Sequence, residues 1–189
     1  MSTSPQIVSA SDEFPDELPK QYEIICGNLV RKAVPDELHS RLQFRLSTFL
    51  APFDGRRSTP GGWRFHTECE IEFLATPKPN RFLPDVAGWK LDVVPNPLSR
   101  GRARIPPQWV CEVLSPSTAN RDKGVKLDTY HRAHVDHYWL VDPETQSLTV
   151  LTWAEDGYQT ILTASRGDRV RAEPFVEHEL ELDWLFDFE

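Results

Sequence analysis

Asp85, Glu112 and Lys126 are the residues whose types and surroundings could do hydrolytic chemistry in this chain. Glu112 lies inside the run Trp109-Val110-Cys111-Glu112-Val113-Leu114, among residues that favour burial. A buried carboxylate without a partner costs several kcal/mol or takes up a proton. Such a residue needs a cation: a divalent metal, Lys126 or an arginine. A structural salt bridge inside a sheet meets the same need. Asp85 follows Pro84 at the head of a short apolar segment that can pair near the Glu112 strand. Two carboxylates converging at one sheet edge suit a hard, oxygen-preferring cation such as Mg²⁺ or Mn²⁺. A Pro-Asp turn is the plainer alternative. Asp122, Lys126 and Tyr130 are spaced four apart and share one helical face. A lysine beside a metal can orient an attacking water and offset charge developing on a phosphate. The alternative is a solvated Asp122–Lys126 pair, worth about 0.3 kcal/mol. Gly124 costs a helix about 1 kcal/mol relative to alanine, which marks close packing or ligand access.

The elements that must position these groups are legible as patterns. Gln108 to Leu114 is an apolar run of strand length, Ser115-Pro116-Ser117-Thr118 is a helix start, residues 119–134 suit a helix, and His137 to Asp142 is a second apolar run. Strand, helix and strand in that order predict a βαβ crossover in a central sheet. Upstream, Tyr22 to Val30 reads as a hairpin turning at Gly27-Asn28, and Pro35-Asp36 opens a helix. His39, Leu42, Leu46, Phe49 and Leu50 give that helix one inward face, and Pro52 ends it. Trp63 to Phe73 alternates like one strand, with Glu68, Glu70 and Glu72 outward, and Asp85 to Trp89 is a short strand. Residues 147–153 and 158–164 form a second hairpin around Asp156-Gly157. Leu180, Leu182, Trp184, Leu185 and Phe186 make an apolar tail that packs back on the body. The polar residues 1–19 form a loose arm, and residues 20–189 a single domain.

Several of these motifs occur together in one family. Pro84-Asp85-Val86, Glu112-Val113-Leu114-Ser115-Pro116-Ser117-Thr118, Asp122 with Lys126 and Tyr130, Val135, and Tyr138-Trp139-Leu140-Val141-Asp142-Pro143 resemble the Uma-two family of endonucleases. Tyr22-Glu23 with Gly27, followed by His39 on a helix, is similar to that family's opening. The resemblance spans about residues 20–186. It implies the PD-(D/E)XK, restriction-endonuclease-like superfamily. The implied fold is α/β, a mixed central β-sheet flanked by helices, with N-terminal and C-terminal β-hairpins. The implied activity is metal-dependent hydrolysis of phosphodiester bonds.

By that resemblance Asp85 and Glu112, with the backbone carbonyl of Val113, hold Mg²⁺ or Mn²⁺, and Lys126 helps place the attacking water. The superfamily's lysine position, two residues past Glu112, is taken by Leu114, so Lys126 is that lysine moved to the following helix. Glu23, His39, Asp122 and Tyr130 are accessory candidates. Where the family pattern has glycine before Val135, this chain has His134, which must adopt a left-handed conformation or end the helix differently.

The net charge of −8 argues at first against a nucleic-acid partner. Its distribution does not: residues 1–23 carry a net −4 and residues 173–189 a net −7, which leaves residues 24–172 at +3. Arg56 and Arg57, and Arg100, Arg102 and Arg104, are candidates for flanking phosphates, or solvated loop residues. DNA is the expected partner, and a homodimer suits cleavage of both strands. No apolar run reaches the length of a membrane span and the N-terminus lacks the pattern of a signal peptide, so a cytoplasmic protein is expected. Cys26, Cys69 and Cys111 each fall in a strand-like segment and read as small buried thiols. The rival functional reading is a nuclease fold without turnover, serving as a nucleic-acid-binding module or an oligomeric scaffold.

Overall fold

The structure is a computed structural model and describes residues 18–19, 21–55, 60–74, 78–94, 102–116 and 119–187. The expected N-terminal arm therefore lies almost wholly outside the described residues, as do Ser117 and Thr118 of the helix-start motif. In chain order the strands are β1 (Tyr22–Ile25), β2 (Asn28–Arg31), β3 (Trp63–Thr67), β4 (Ile71–Phe73), β5 (Asn80–Phe82), β6 (Val86–Lys90), β7 (Trp109–Val113), β8 (His137–Asp142), β9 (Ser147–Thr152), β10 (Gln159–Ser165), β11 (Arg169–Val170) and β12 (Leu180–Glu181). The helices are α1 (Glu37–Leu50), α2 (Ala119–Arg121), α3 (Leu127–Arg132) and α4 (Leu182–Leu185), with a 3₁₀ turn at Ala51–Phe53 and a π-helical stretch at Asp122–Lys126 joining α2 to α3.

Six strands make the central sheet in the order β10-β9-β8-β7-β6-β3. The β7–β8 pair is parallel, joined by the helical crossover, and its other pairs are antiparallel, so the sheet is mixed as expected. A second sheet, β2-β1-β5-β4, carries the N-terminal hairpin. On β7 the alternation divides the core in two. Trp109, Cys111 and Val113 join the cluster under α1 and α4. Val110 and Leu114 join the cluster with Tyr130 of α3. Strand β6 alternates in step, with Val86 on the first side and Ala87 and Trp89 on the second. Gly88 is required between them, because an added Cβ would stand 2.8 Å from the Phe65 ring.

Several local expectations are corrected. The N-terminal hairpin turns at Cys26-Gly27, since Ile25 pairs with Asn28 and both turn residues have positive φ. Cys26 is thus exposed, and Cys69 lies between strands, partly covered; only Cys111 is a buried strand thiol. The segment 63–73 is two strands in two sheets. Glu68 takes φ 49° and its N–H donates to Pro84 O, which breaks the alternation. Glu70 is largely covered and faces Arg81. An added Cβ at Gly124 would meet nothing within 4 Å, so this glycine does not serve close packing. Trp184 stays 38% exposed, under the Arg45 guanidinium, while its apolar neighbours bury.

His134 does adopt the left-handed conformation, at φ 55°. Its N–H donates to His131 O and the Val135 N–H to Tyr130 O, the two bonds of a Schellman cap. An L-residue with a Cβ is strained there by roughly 1 kcal/mol. His134→Gly is expected to stabilise the chain by about 0.5–1 kcal/mol in urea denaturation, less whatever the His134–Trp153 ring contact contributes. Destabilisation would show that the ring contact outweighs the strain.

Candidate active site

The sheet brings the two central carboxylates together by register. Val86 pairs with Cys111 and Ala87 with Val110. One more step along the same antiparallel ladder sets Asp85 opposite Glu112, and opposed residues point to the same face. Both side chains are buried, at 1% and 2% exposure, and both line one cavity of about 210 Å³. Glu23, Lys32, His39, Asp122 and Lys126 line the same cavity, whose apolar lining includes Val34, Leu38, Pro116 and Pro143.

Asp85 is held from four directions. Its Oδ2 accepts from the Val113 N–H at 2.7 Å, and its Oδ1 from Lys32 Nζ at 2.9 Å. His39 Nε2 stands 3.1 Å from Oδ1 but off the line of a hydrogen bond, so that contact is electrostatic. Gln43, one turn along α1, donates to the Asp85 carbonyl. Asp36 caps α1 by accepting from the His39 N–H, which fixes the helix start over the sheet end. Burial pushes the Asp85 carboxyl upward, but the imidazole and the ammonium outweigh it and hold it well below the usual carboxylate range.

Lys126 is enclosed by carboxylates. Its Nζ lies 2.9 Å from Glu112 Oε1, 3.1 Å from Glu23 Oε1 and 3.3 Å from Asp122 Oδ1. Tyr130 OH donates to the same Glu112 oxygen at 2.8 Å. The shared face of Asp122, Lys126 and Tyr130 is thus turned fully inward rather than to solvent. The π-helical stretch extends that face. In an α-helix, residues five apart differ by about 140° around the axis, and a π turn closes that gap. Arg121 and Lys126, five apart, both reach Glu23, the arginine at 3.6 Å from Oε2.

Among the described residues, four carboxylates, Glu23, Asp85, Glu112 and Asp122, face three permanent cations, Lys32, Arg121 and Lys126. The surplus charge falls on Glu112. Burial, then the charges of Asp85 and Asp122, push its carboxyl up to about 8 against the pull of Lys126. The native state therefore keeps a proton that the unfolded chain sheds at ordinary glutamate pKa. Stability from this group is full below that pKa and is lost as pH rises to about 8. His66 and His137 are held below 6.5 by burial and act in the opposite sense, but they finish titrating near neutrality. Thermal stability is expected to fall between about pH 6.5 and 8, and Glu112→Gln to flatten that slope. An identical slope in the variant would assign it elsewhere.

The structure thus gathers Asp85, Glu112, Lys126, Glu23, His39, Asp122 and Tyr130, together with the Val113 backbone. It does not bring Arg102 and Arg104 to the cavity; both bind Glu72, at 3.1 and 3.0 Å. Arg56, Arg57 and Arg100 lie outside the described residues. Sequence reasoning missed Lys32 and Arg121. Arg121 had a signal, its spacing of five from Lys126, which an α-helical reading discards. Lys32 had none, because it follows β2 at the open end of the hairpin and reaches Asp85 across 53 residues.

The fold is similar to that of a solved protein described as a putative nuclease belonging to DUF820, from Anabaena variabilis. The TM-score is 0.67 at 20% identity, covering 90% of this chain and 93% of that one. No curated protein matches the sequence. A family model, Uma2, described as "Putative restriction endonuclease", matches residues 10–185. That match takes in both carboxylate strands, the crossover helix and the N-terminal hairpin, and the chain belongs to the Uma2 family.

Proposed function

We propose that the chain is a divalent-metal-dependent endonuclease that hydrolyses phosphodiester bonds of nucleic acid, DNA above all. The observation that carries this reading is the register that, carried one step further, sets Asp85 and Glu112 side by side on one cavity. The donors fit a hard cation. Both hydrogen bonds to Glu112 fall on Oε1, and its side chain lines the cavity. Mg²⁺ takes one or two carboxylates and completes its shell with water. Among the described residues no three acids, histidines or cysteines form a ready-made cage, in keeping with lysines that now hold the same oxygens.

Asp85, Glu112 and the Val113 carbonyl would hold the ion. When bound, it supplies a polarised phosphate and a water of lowered pKa. The chain's own residues do the rest. The Val113 N–H fixes the Asp85 carboxylate. Tyr130 and Lys126 fix that of Glu112 and limit its rotation. The Lys126 ammonium lies close enough to the cavity to orient a water and offset negative charge developing at phosphorus.

Isothermal calorimetry with MnCl₂, beside nicking of supercoiled plasmid in Mg²⁺ or Mn²⁺, tests the proposal. A saturable site of about one or two ions per chain and EDTA-sensitive nicking are expected. The rival, a scaffold or binding module without turnover, is favoured by the close Lys32–Asp85 and Lys126–Glu112 pairs, which compensate both acids without metal. Absence of both saturable heat and nicking would establish that rival. A homodimer cutting both strands is part of the proposal, and sedimentation on a nicked and a linear product series tests it.

A further inference from the structure

Lys32 reaches the cavity from outside the central sheet. It follows β2, in the second sheet, and its Nζ donates both to Asp85 Oδ1 at 2.9 Å and to Leu83 O at 2.8 Å. A carboxylate oxygen offers about two acceptor sites. Oδ2 of Asp85 already takes the Val113 N–H, and Oδ1 faces both Lys32 and His39. A cation approaching Oδ1 must displace a neighbour. An ammonium beside a divalent ion is repelled.

Lys32 also has somewhere to go. Glu68 Oε1 lies 3.5 Å from its Nζ, and the Glu68 side chain is 44% exposed, against 2% for Asp85. The left-handed bend at Glu68, tied by its N–H to Pro84 O, places this second carboxylate beside the Asp85 segment. Leu83 O can hold the ammonium during the exchange. Lys126 has no comparable exit: its three carboxylates are all buried, at 0–3% side-chain exposure.

We propose that Lys32 is a displaceable counter-ion, which neutralises Asp85 until a divalent cation binds and then transfers to Glu68. The proposal rests on the metal-binding reading above. It makes the ion-free site a closed, charge-paired state and sets metal affinity through a lysine that is not itself a ligand of the ion.

The test is Mn²⁺ calorimetry on the full chain, its Lys32→Met and Glu68→Gln variants and the double variant, with folding checked by circular dichroism. Lys32→Met is expected to bind Mn²⁺ about tenfold more tightly or better, because the competitor is gone. Glu68→Gln is expected to bind severalfold more weakly. In the Lys32→Met background the Glu68 substitution should change affinity by less than about twofold, since it acts through the lysine. Reductive methylation of the unaltered chain, read by mass spectrometry, gives a second measurement that needs no variant. Lys32 labelling should rise at saturating Mn²⁺ while Lys126 stays unlabelled. Saturable Mn²⁺ binding by the unaltered chain, with Lys32→Met no tighter and Lys32 labelling unchanged, overturns the role of Lys32 alone. No saturable binding by the unaltered chain overturns the metal reading itself.

Discussion

Asp85→Asn is expected to abolish saturable Mn²⁺ binding and to lower metal-dependent nicking by at least about 10³-fold, with the fold retained. The substitution keeps shape. An asparagine Oδ1 can still accept the Val113 N–H that now binds Asp85 Oδ2 at 2.7 Å. Lys32 loses its 2.9 Å partner but keeps Leu83 O and the neighbouring Glu68. The site also loses one of four crowded carboxylates, which relieves Glu112 of a charge that pushes its carboxyl upward. The expected stability loss is therefore below about 2 kcal/mol, the scale of one hydrogen bond to a charged group. The catalytic loss is large because Asp85 is, with Glu112, one of the two proposed carboxylate ligands lining the cavity. Nicking by Asp85→Asn at the wild-type rate, with metal present, would remove Asp85 from the site. Lost nicking with unchanged Mn²⁺ affinity would leave it in the site but not on the ion.

How much of this was readable in advance follows from what each signal depends on. Glu112 announced itself because an acid among Trp109, Val110, Cys111 and Val113 has no comfortable place without a cation. The crossover helix showed its inward face through the i, i+4 spacing of Asp122, Lys126 and Tyr130, and all three are buried. The parallel pair of the central sheet followed from two apolar runs flanking that helix, and its mixed character from the family resemblance. The failures share a cause: each needs a backbone conformation or a long-range approach that periodicity does not encode. Glu68 continues the outward row of Glu70 and Glu72 on paper, yet φ 49° at that residue accompanies the passage from β3 in one sheet to β4 in the other. The π-helical turn puts Arg121 beside Glu23, and no α-helical wheel predicts it. Lys32 meets Asp85 only because two sheets abut there. Arg102 and Arg104, read from the sequence as phosphate ligands or solvated loop residues, both pair with Glu72, on the strand next to β5.

Lys126→Met carries the second large effect, and on stability rather than on chemistry. Methionine fills a similar volume, although it loses the ammonium that stands over the Phe82 ring. It removes the one cation within 3.3 Å of Glu112, Glu23 and Asp122 together. Arg121, 3.6 Å from Glu23, remains as partial compensation. Breaking a buried ion pair by deleting one partner costs about 3–5 kcal/mol, a large share of the 5–15 kcal/mol that holds a domain together. A fall in Tm of about 10 °C is expected at pH 8. The deficit has a signature that lost packing lacks. The stranded carboxylates take up protons in the native state, so the native chain binds more protons than the unfolded one and stability falls as pH rises. Urea denaturation should therefore show the variant's deficit shrinking toward pH 5. Saturating Mn²⁺ should recover part of it at pH 8, because an ion that binds only the folded site stabilises by mass action. A deficit that is the same at both pH values and indifferent to Mn²⁺ would mean that Lys126 contributes packing, and that the acids around it do not need its charge.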